Sequence, residues 1–319
     1  MKFLHTSDLH IGKRVNEFPM IEDQRHILRQ ILDIAAAERV DAVLIAGDIY
    51  DKPAPSAEAV QIFDRFLTGL ADLGKKVYAV SGNHDSPERI AFGAQLMSGR
   101  GVHVSPVYEG RALCCRVTDA FGEIRIHLLP FIKPSTVRHA LDGETEGAAP
   151  GSYQEAVALA VDRMEIDDTK RNILIAHQFV TGAGRCDSEE VAVGGLDNVD
   201  GSVFARFDYV ALGHIHSPQS VGRECVRYCG TPLKYSFSEA DQEKSVTILE
   251  LKEKGQALIS TVPLVPLRDM RKVRGSYLEV MSKAFYQDAD KEAYVQITLT
   301  DEDDVPDGLQ RLRTVYPNL

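Results

Sequence analysis

Asp41-Ala42-Val43-Leu44-Ile45-Ala46-Gly47-Asp48-Ile49-Tyr50-Asp51 decides how this chain is read. An apolar run without a polar break is what a strand buried on both faces requires, as in a parallel sheet covered by helices. The run stops at Gly47-Asp48, so a carboxylate stands where a strand ends and a loop begins. Five more short runs do the same: Asp8-Leu9-His10 after residues 2–7, Gly82-Asn83-His84-Asp85 after 76–81, Ala176-His177-Gln178 after 172–176, then Gly213-His214 and His216 after 209–212. Strand ends in one sheet can aim several oxygen and imidazole donors at one place.

Working outward, residues 20–38 carry Ile21, Leu28, Ile31, Leu32 and Ala35 at helical spacing. Ser56 is placed to cap a helix over 57–72, with Glu58 in its first turn. Strands alternate with helices as far as 81, the mark of a layered α/β domain. Beyond 101 the pattern predicts strands over 111–118 and 124–130 joined at Phe121-Gly122-Glu123, a helix over 153–165, and a hairpin of 246–251 and 257–262 around Lys254-Gly255. Residues 143–150 read as a surface loop. Residues 181–200, rich in Gly and Asp, read as a long loop of the kind that carries function. Val265-Pro266-Leu267 is the expected boundary between a first domain, 1–265, and a second, 266–319. The second reads as strand 272–280, helix 282–292, strand 293–300 and a helix from about 306. That is a small α+β unit expected to dock on the first. Its pattern is unfinished at Leu319, and a truncated chain is the expectation.

The 319 residues are 44% hydrophobic and 26% charged, an ordinary globular composition, and no run of 18 apolar residues marks a membrane span. Met1-Lys2-Phe3-Leu4-His5 leads straight into a strand and lacks the features of a signal peptide. Five cysteines without zinc-ligand spacing read as free thiols of a reducing cytoplasm. Net charge is 36 minus 47, or −11, which argues against a general affinity for nucleic acid. Divalent cations at the site would cancel part of it. Arg268, Arg271, Lys272 and Arg274 form a local basic cluster, read more simply as a solvated strand edge.

Asp8, His10, Asp48, Asn83, His177, His214 and His216 form the candidate metal set. Carboxylate, amide and neutral imidazole suit Mn²⁺, Fe²⁺ or Zn²⁺ better than Ca²⁺ or a thiolate zinc site. Two metals about 3.5–4 Å apart need a bridging carboxylate, and Asp48 ends the central strand. His84 can bind the phosphate or protonate a leaving alkoxide, with Asp85 orienting its other nitrogen. Taken singly, each run is more often an ordinary loop or strand end. Their joint, ordered occurrence carries the reading. His5, His26, His103, His127 and His139 have no such company and receive no role.

The ordered runs closely resemble those of the metallophosphoesterase superfamily: Asp-x-His, Gly-Asp, Gly-Asn-His-Asp, a later His, and Gly-His-x-His. Within it the chain is similar to the SbcD nucleases of bacterial DNA-repair complexes. That likeness runs through residues 1–12, 47–51, 82–86 and 213–216 and through Gly230-Thr231-Pro232-Leu233-Lys234-Tyr235-Ser236-Phe237, most of 1–265. It implies a four-layer αββα sandwich with two metals, Mn²⁺ by preference, at the strand ends. Asp8, His10, Asp48 and His216 would hold one metal, and Asp48, Asn83, His177 and His214 the other. The implied activities are 3′→5′ double-strand exonuclease and single-strand endonuclease. Residues 266–319 would cap the site and position DNA. The implied partner is an SbcC-like coiled-coil ATPase, whose binding segment normally follows the cap and is expected to be missing here. The implied place is the cytoplasm, at the nucleoid. A homodimer is also implied, with Val60, Phe63, Phe66, Leu67, Leu70, Phe92 and Leu96 as candidates for its face, about half of them expected in the core. Archaeal and eukaryotic relatives carry His where Asp51 stands, so no role transfers to Asp51. Lys52-Pro53 replaces the Arg of protein phosphatases. No nucleotide-binding Gly-x-x-x-x-Gly-Lys-Ser/Thr loop is present, which places ATP control in the partner. Two other readings stand beside the nuclease: a small-molecule phosphodiesterase acting on cyclic nucleotides, and a non-catalytic scaffold.

Overall fold

A computed structural model describes residues 1–141, 150–189, 197–287 and 290–319. Strands and helices are numbered in chain order. One six-stranded sheet runs β14 (Ala257–Pro263), β13 (Ser245–Leu251), β1 (Lys2–Thr6), β4 (Ala42–Ala46), β5 (Lys76–Val80), β6 (Val102–Val104). Its β1, β4, β5 and β6 are parallel, and the β13–β14 hairpin is added antiparallel to β1. A second sheet runs β11 (Gln219–Val221), β12 (Arg223–Tyr228), β10 (Tyr209–Gly213), β9 (Arg171–His177), β8 (Gly122–Leu129), β7 (Leu113–Asp119). Its centre, β8 to β12, is again parallel.

The two-residue period of β4 explains the layers. Ala42, Leu44 and Ala46 face the other sheet and pack with Ile124, Ile126, Ile173, Ile175 and Ala211. Val43 and Ile45 face outward and pack under α1 (Ile21–Ala37) and α2 (Ala57–Asp72), through Ile27, Ile31, Ile62 and Phe66. The second sheet is covered through Leu174, Ala176, Val210 and Leu212 by Val157, Ala160 and Val161 of α6 (Tyr153–Asp162). The result is the four-layer αββα sandwich. Ser56 caps α2 by accepting from Ala59 N, and Ser152 caps α6 with Glu155 in a reciprocal box.

The C-terminal unit differs from the expected pattern. β15 stops at Gly275 (Met270–Gly275), because Ser276 accepts from Glu279 N and starts a short helix, α7 (Tyr277–Val280). The helix expected over 282–292 is α8 (Lys283–Tyr286). β16 (Tyr294–Leu299) lies parallel to β15, and α9 (Gly308–Arg313) follows. Val273, Val280, Val295, Leu312 and Tyr316 form a core of their own, while Met270 and Tyr294 join the core beneath the first sheet.

Arg271, Lys272 and Arg274 are exposed along β15, the solvated edge expected of them, whereas Arg268 turns inward to Asp23 (2.6 Å). Of the apolar candidates for a second-copy face, Phe63, Phe66 and Leu70 are core, whereas Phe92 and Leu96 are 86% and 85% exposed. All five cysteines are free. The loop expected over 143–150 lies outside the described residues apart from Pro150, as does 190–196 of the long loop. Among the described residues no helix is long and apolar enough to cross a membrane.

Candidate metal centre

The centre forms where β1, β4 and β5 end against the ends of β9 and β10. The loops after β1 and β4 are zipped together by Asp8 N to Gly47 O (3.0 Å), His10 N to Asp48 O (2.9 Å) and Ile11 N to Ile49 O (2.9 Å). Among the described residues seven non-glycine positions have positive φ, and Asp8, His10, Asp48 and His214 are four of them. Such backbone costs on the order of 1 kcal/mol or more per residue, so strain is concentrated where the donors sit. Two glycines let the loops close. A Cβ on Gly213 would lie 1.8 Å from Ala46 O, and one on Gly82 2.1 Å from the Asp48 carboxylate.

The structure brings all seven candidate ligands together. Three groups of metal-binding atoms lie within 4.8 Å of one another: Asp8 with His10 and His216, Asp8 with Asp48 and His177, and His10 with Asp48 and His84. Asp48 Oδ2 is 3.3 Å from His177 Nε2 and 3.6 Å from His10 Nε2. Asn83 Oδ1 is 2.9 Å from His177 Nε2 and 3.0 Å from His214 Nδ1. His10 Nε2 and His216 Nε2 face each other at 3.2 Å. Asp8 also accepts from His214 N (3.0 Å), which ties the first ligand loop to the last.

Hydrogen bonds outside the cluster set the tautomers. His177 Nδ1 lies 2.8 Å from the Ala46 carbonyl, which can only accept, so Nδ1 carries a proton and Nε2 is the nitrogen turned to the site. At His216, Nδ1 is 2.7 Å from Ser188 Oγ, and that hydroxyl donates to Glu239 Oε1 (2.6 Å). The hydroxyl therefore accepts from Nδ1–H, and Nε2 is the nitrogen that faces the site.

Electrostatics point the same way. Burial holds His214 down at about 3, helped by His177, and holds His10 well below the ordinary imidazole value. Both are neutral, as ligands must be. Burial also lifts Asp8. Burial pushes His177 down, but Asp48 and then Asp8 outweigh it and hold it up at about 9, while burial fails to lift Asp48, which His177 and His10 keep ionised. Two buried carboxylates, an amide oxygen and four imidazoles thus converge, and the carboxylates hold a second proton on the His177 ring. This donor set fits divalent cations, whose charge would take over from that proton.

His84 sits at the rim. Its backbone N–H donates to Asp48 Oδ1 (2.9 Å), its Nδ1 lies 3.2 Å from Asp51 O, and its Nε2 lies 4.0 Å from Asp48 Oδ2. The expected pairing of Asp85 with His84 is not what the structure shows. Asp85 is buried beneath the loop and accepts from Ile49 N (3.0 Å), Tyr50 N (2.9 Å) and Gly82 N (2.9 Å). Burial and then Asp48 raise its pKa to about 6 despite those bonds. Asp85 splices the Asp48 and Asn83 loops and orients no imidazole.

Several residues that hold the site were not read from the sequence. Gln24, on α1, donates to His10 O (2.7 Å) and to Tyr235 Oη (3.0 Å) and accepts from Gly12 N (2.9 Å), and Tyr235 donates to Leu9 O (2.5 Å). Glu239 is fully buried and is paired with Lys244 Nζ at 2.5 Å. Burial pushes this carboxyl up, but His216 and Lys244 outweigh it and bring it to about 2. The one signal was that Tyr235 falls in the tract that resembles the SbcD nucleases.

A calcineurin-like phosphoesterase profile matches residues 1–218. A profile described as the type 5 capsule protein repressor C-terminal domain matches 266–319. The SbcD subunit of the nuclease SbcCD from Staphylococcus epidermidis is 33% identical over 327 residues, spanning all of this chain and 84% of the relative. The chain belongs to the calcineurin-like phosphoesterase family, in its SbcD branch. The same subunit from Staphylococcus saprophyticus is 30% identical over 322 residues, again all of this chain and 83% of the relative. A solved dimetal phosphatase from Danio rerio, 14% identical, overlaps 82% of this chain and 98% of its own with a TM-score of 0.47. The family is one of divalent-metal enzymes acting on phosphate esters, the chemistry for which this donor set is suited.

Proposed function

We propose that this chain is a metal-dependent DNA nuclease, the SbcD component of an SbcCD-type complex, working with Mn²⁺. The observation that carries the reading is the position of Asp48, whose one carboxylate faces His10 on one side and His177 on the other. Asp8, His10, Asp48 and His216 would hold one ion, and Asp48, Asn83, His177 and His214 the second. That the relatives are nucleases favours DNA over a cyclic nucleotide as substrate.

Two bound cations supply Lewis acidity at the phosphate oxygens and acidify water. The chain's own residues do the rest. His177 keeps a proton on Nδ1 against Ala46 O, and Ser188 keeps that of His216 on Nδ1, so Nε2 of each ring is the nitrogen offered to the ions. His84, with Nδ1 turned to Asp51 O, offers Nε2 at the mouth of the site. A proton held there passes to the leaving alkoxide. Residues 266–319 act as a cap separate from domain 1–265, docked through Arg268 and Tyr294 on Asp23 (2.6 and 3.0 Å), and position the DNA. A coiled-coil ATPase is the partner, and a second copy joins through the exposed Val60, Phe92 and Leu96. A monomer in light scattering at tens of micromolar would remove that second copy.

The test is cleavage of end-labelled single- and double-stranded DNA with Mn²⁺, with Mg²⁺ and with EDTA, beside His84→Gln. Cleavage should require Mn²⁺. The substitution should lower kcat by roughly 10²- to 10⁴-fold while Mn²⁺ binding is unchanged. Hydrolysis of a cyclic nucleotide but of neither DNA would reverse the assignment.

A further inference from the structure

We propose that Phe131 and Lys133 form a nucleobase platform beside the metal centre, receiving an unstacked base from a single-stranded or frayed DNA end. This rests on the nuclease reading above and adds a subsite to it.

After β8 the chain reads Leu129-Pro130-Phe131-Ile132-Lys133-Pro134. Leu129 and Ile132 are fully buried, but Phe131 between them is only half-buried. Its backbone N–H donates to Ser81 O (2.9 Å), which fixes it beside the loop carrying Asn83 and His84. The ring lies nearly parallel to the His214 imidazole (18°, centroids 6.4 Å apart) and edge-on to His177 (83°, 6.2 Å). Phe131 is thus a wall of the half-site built from those two histidines.

A second aromatic on His214 shows what a closed wall looks like. Phe179 is buried, and the Arg185 guanidinium lies 3.5 Å from its ring centroid. Among the described residues no guanidinium packs on Phe131 in this way. Its nearby cation, Lys133, is exposed, has its Nζ 6.0 Å from the ring centroid, and forms no ion pair among the described residues. A lysine without an ion pair among the described residues, beside a half-buried aromatic ring and next to a cluster suited to a phosphodiester, is the pairing a nucleotide needs. The base stacks on the ring and the neighbouring phosphate meets the ammonium. A base inside a duplex has both faces covered, so the platform acts on strands whose bases have left the stack.

The plain alternative is that Phe131 only fills space against Tyr153 (centroids 6.2 Å apart). Phe131→Leu keeps the fill and removes the π-face, while Phe131→Tyr keeps both. Single-stranded oligonucleotides carrying one abasic residue at successive positions from the end would be cleaved by the full chain with Mn²⁺ and by both variants. The platform predicts one position, next to the cut, at which loss of the base costs the wild type roughly 5- to 150-fold in kcat/KM. Phe131→Leu should lose a similar factor on the intact oligonucleotide and no more at that abasic position. Phe131→Tyr should behave as wild type, and Mn²⁺ affinity should not change in either. Losses that simply add in Phe131→Leu, or a drop in Mn²⁺ affinity that accounts for them, would overturn the platform. Wild type that cuts none of these oligonucleotides would instead overturn the nuclease reading itself.

Discussion

The two halves of the metal centre are built from opposite materials. Around His10 and His216 the supports are polar: Gln24 and Tyr235 hold the His10 loop, and Ser188, Glu239 and Lys244 hold His216. Around His177 and His214 they are largely aromatic, with Phe131 and Phe179 against the imidazoles. The polar half is connected to distant parts of the molecule, because Asp23, next to Gln24, receives Arg268 and Tyr294 from the C-terminal unit. The aromatic half is local. Hydrogen-bonded supports fix direction, and packed rings exclude water. A centre holding two ions can use one means for each.

Asp48 belongs to both halves, so its removal should have the largest effect. Asp48→Asn should lower kcat by about a thousandfold or more, the equivalent of several kcal/mol of lost Lewis-acid stabilisation. Two-site calorimetric titration with Mn²⁺ should show both affinities reduced. One site left at wild-type affinity would mean that Asp48 serves one half alone.

Smaller and one-sided effects should follow in the polar half. Glu239→Gln keeps the shape but loses the charge that anchors Ser188 and Lys244, and Gln24→Ala frees the strained His10 backbone. Each should weaken one of the two Mn²⁺ sites by roughly 10- to 100-fold, the usual scale for groups that orient ligands, and leave the other unchanged. Equal weakening of both sites would show that the halves are not separable.

The sequence made the aromatic-half ligands and the layered fold legible for the same reason. Buried strands such as Ala42–Ala46 and Tyr209–Gly213 read as unbroken apolar runs, and the donor follows at once. The helices α1 and α2 were equally plain, from spacing and from the Ser56 cap. The polar supports were not legible. Gln24 lies 14 residues from His10, and Glu239 lies 51 from Ser188, so only folding brings them together. Asp85 shows the opposite failure. Adjacency to His84 made a pairing look natural, but the loop's backbone N–H groups needed an acceptor, and the carboxylate went to them. In the C-terminal unit, Ser276 caps a helix and ends β15 at Gly275, short of the strand expected over 272–280.

The smallest expected effect concerns what lies beneath both halves. His5, on β1, reaches across between the sheets to Tyr209 Oη of β10 (3.0 Å) and is fully buried. Burial, then the charge of Arg227, holds its pKa down at about 3, a little offset by the backbone at Leu212. The neutral ring is therefore favoured in the fold, and the unfolded chain binds the proton more readily. Stability from this group is complete above the unfolded value near 6.5 and is lost as pH falls towards 3. Between pH 7.5 and 5 the loss is about 2 kcal/mol for this one group. His5→Gln cannot titrate, so in EDTA its urea-unfolding free energy should fall by that much less than the wild type's over the same pH range. The ligand histidines titrate in both proteins and cancel in the difference. If both proteins lose the same stability, His5 is protonated without cost, and water reaches the layer between the sheets. The dry floor that the aromatic half relies on would then be absent, and the contrast between the halves would rest on Phe131 and Phe179 alone.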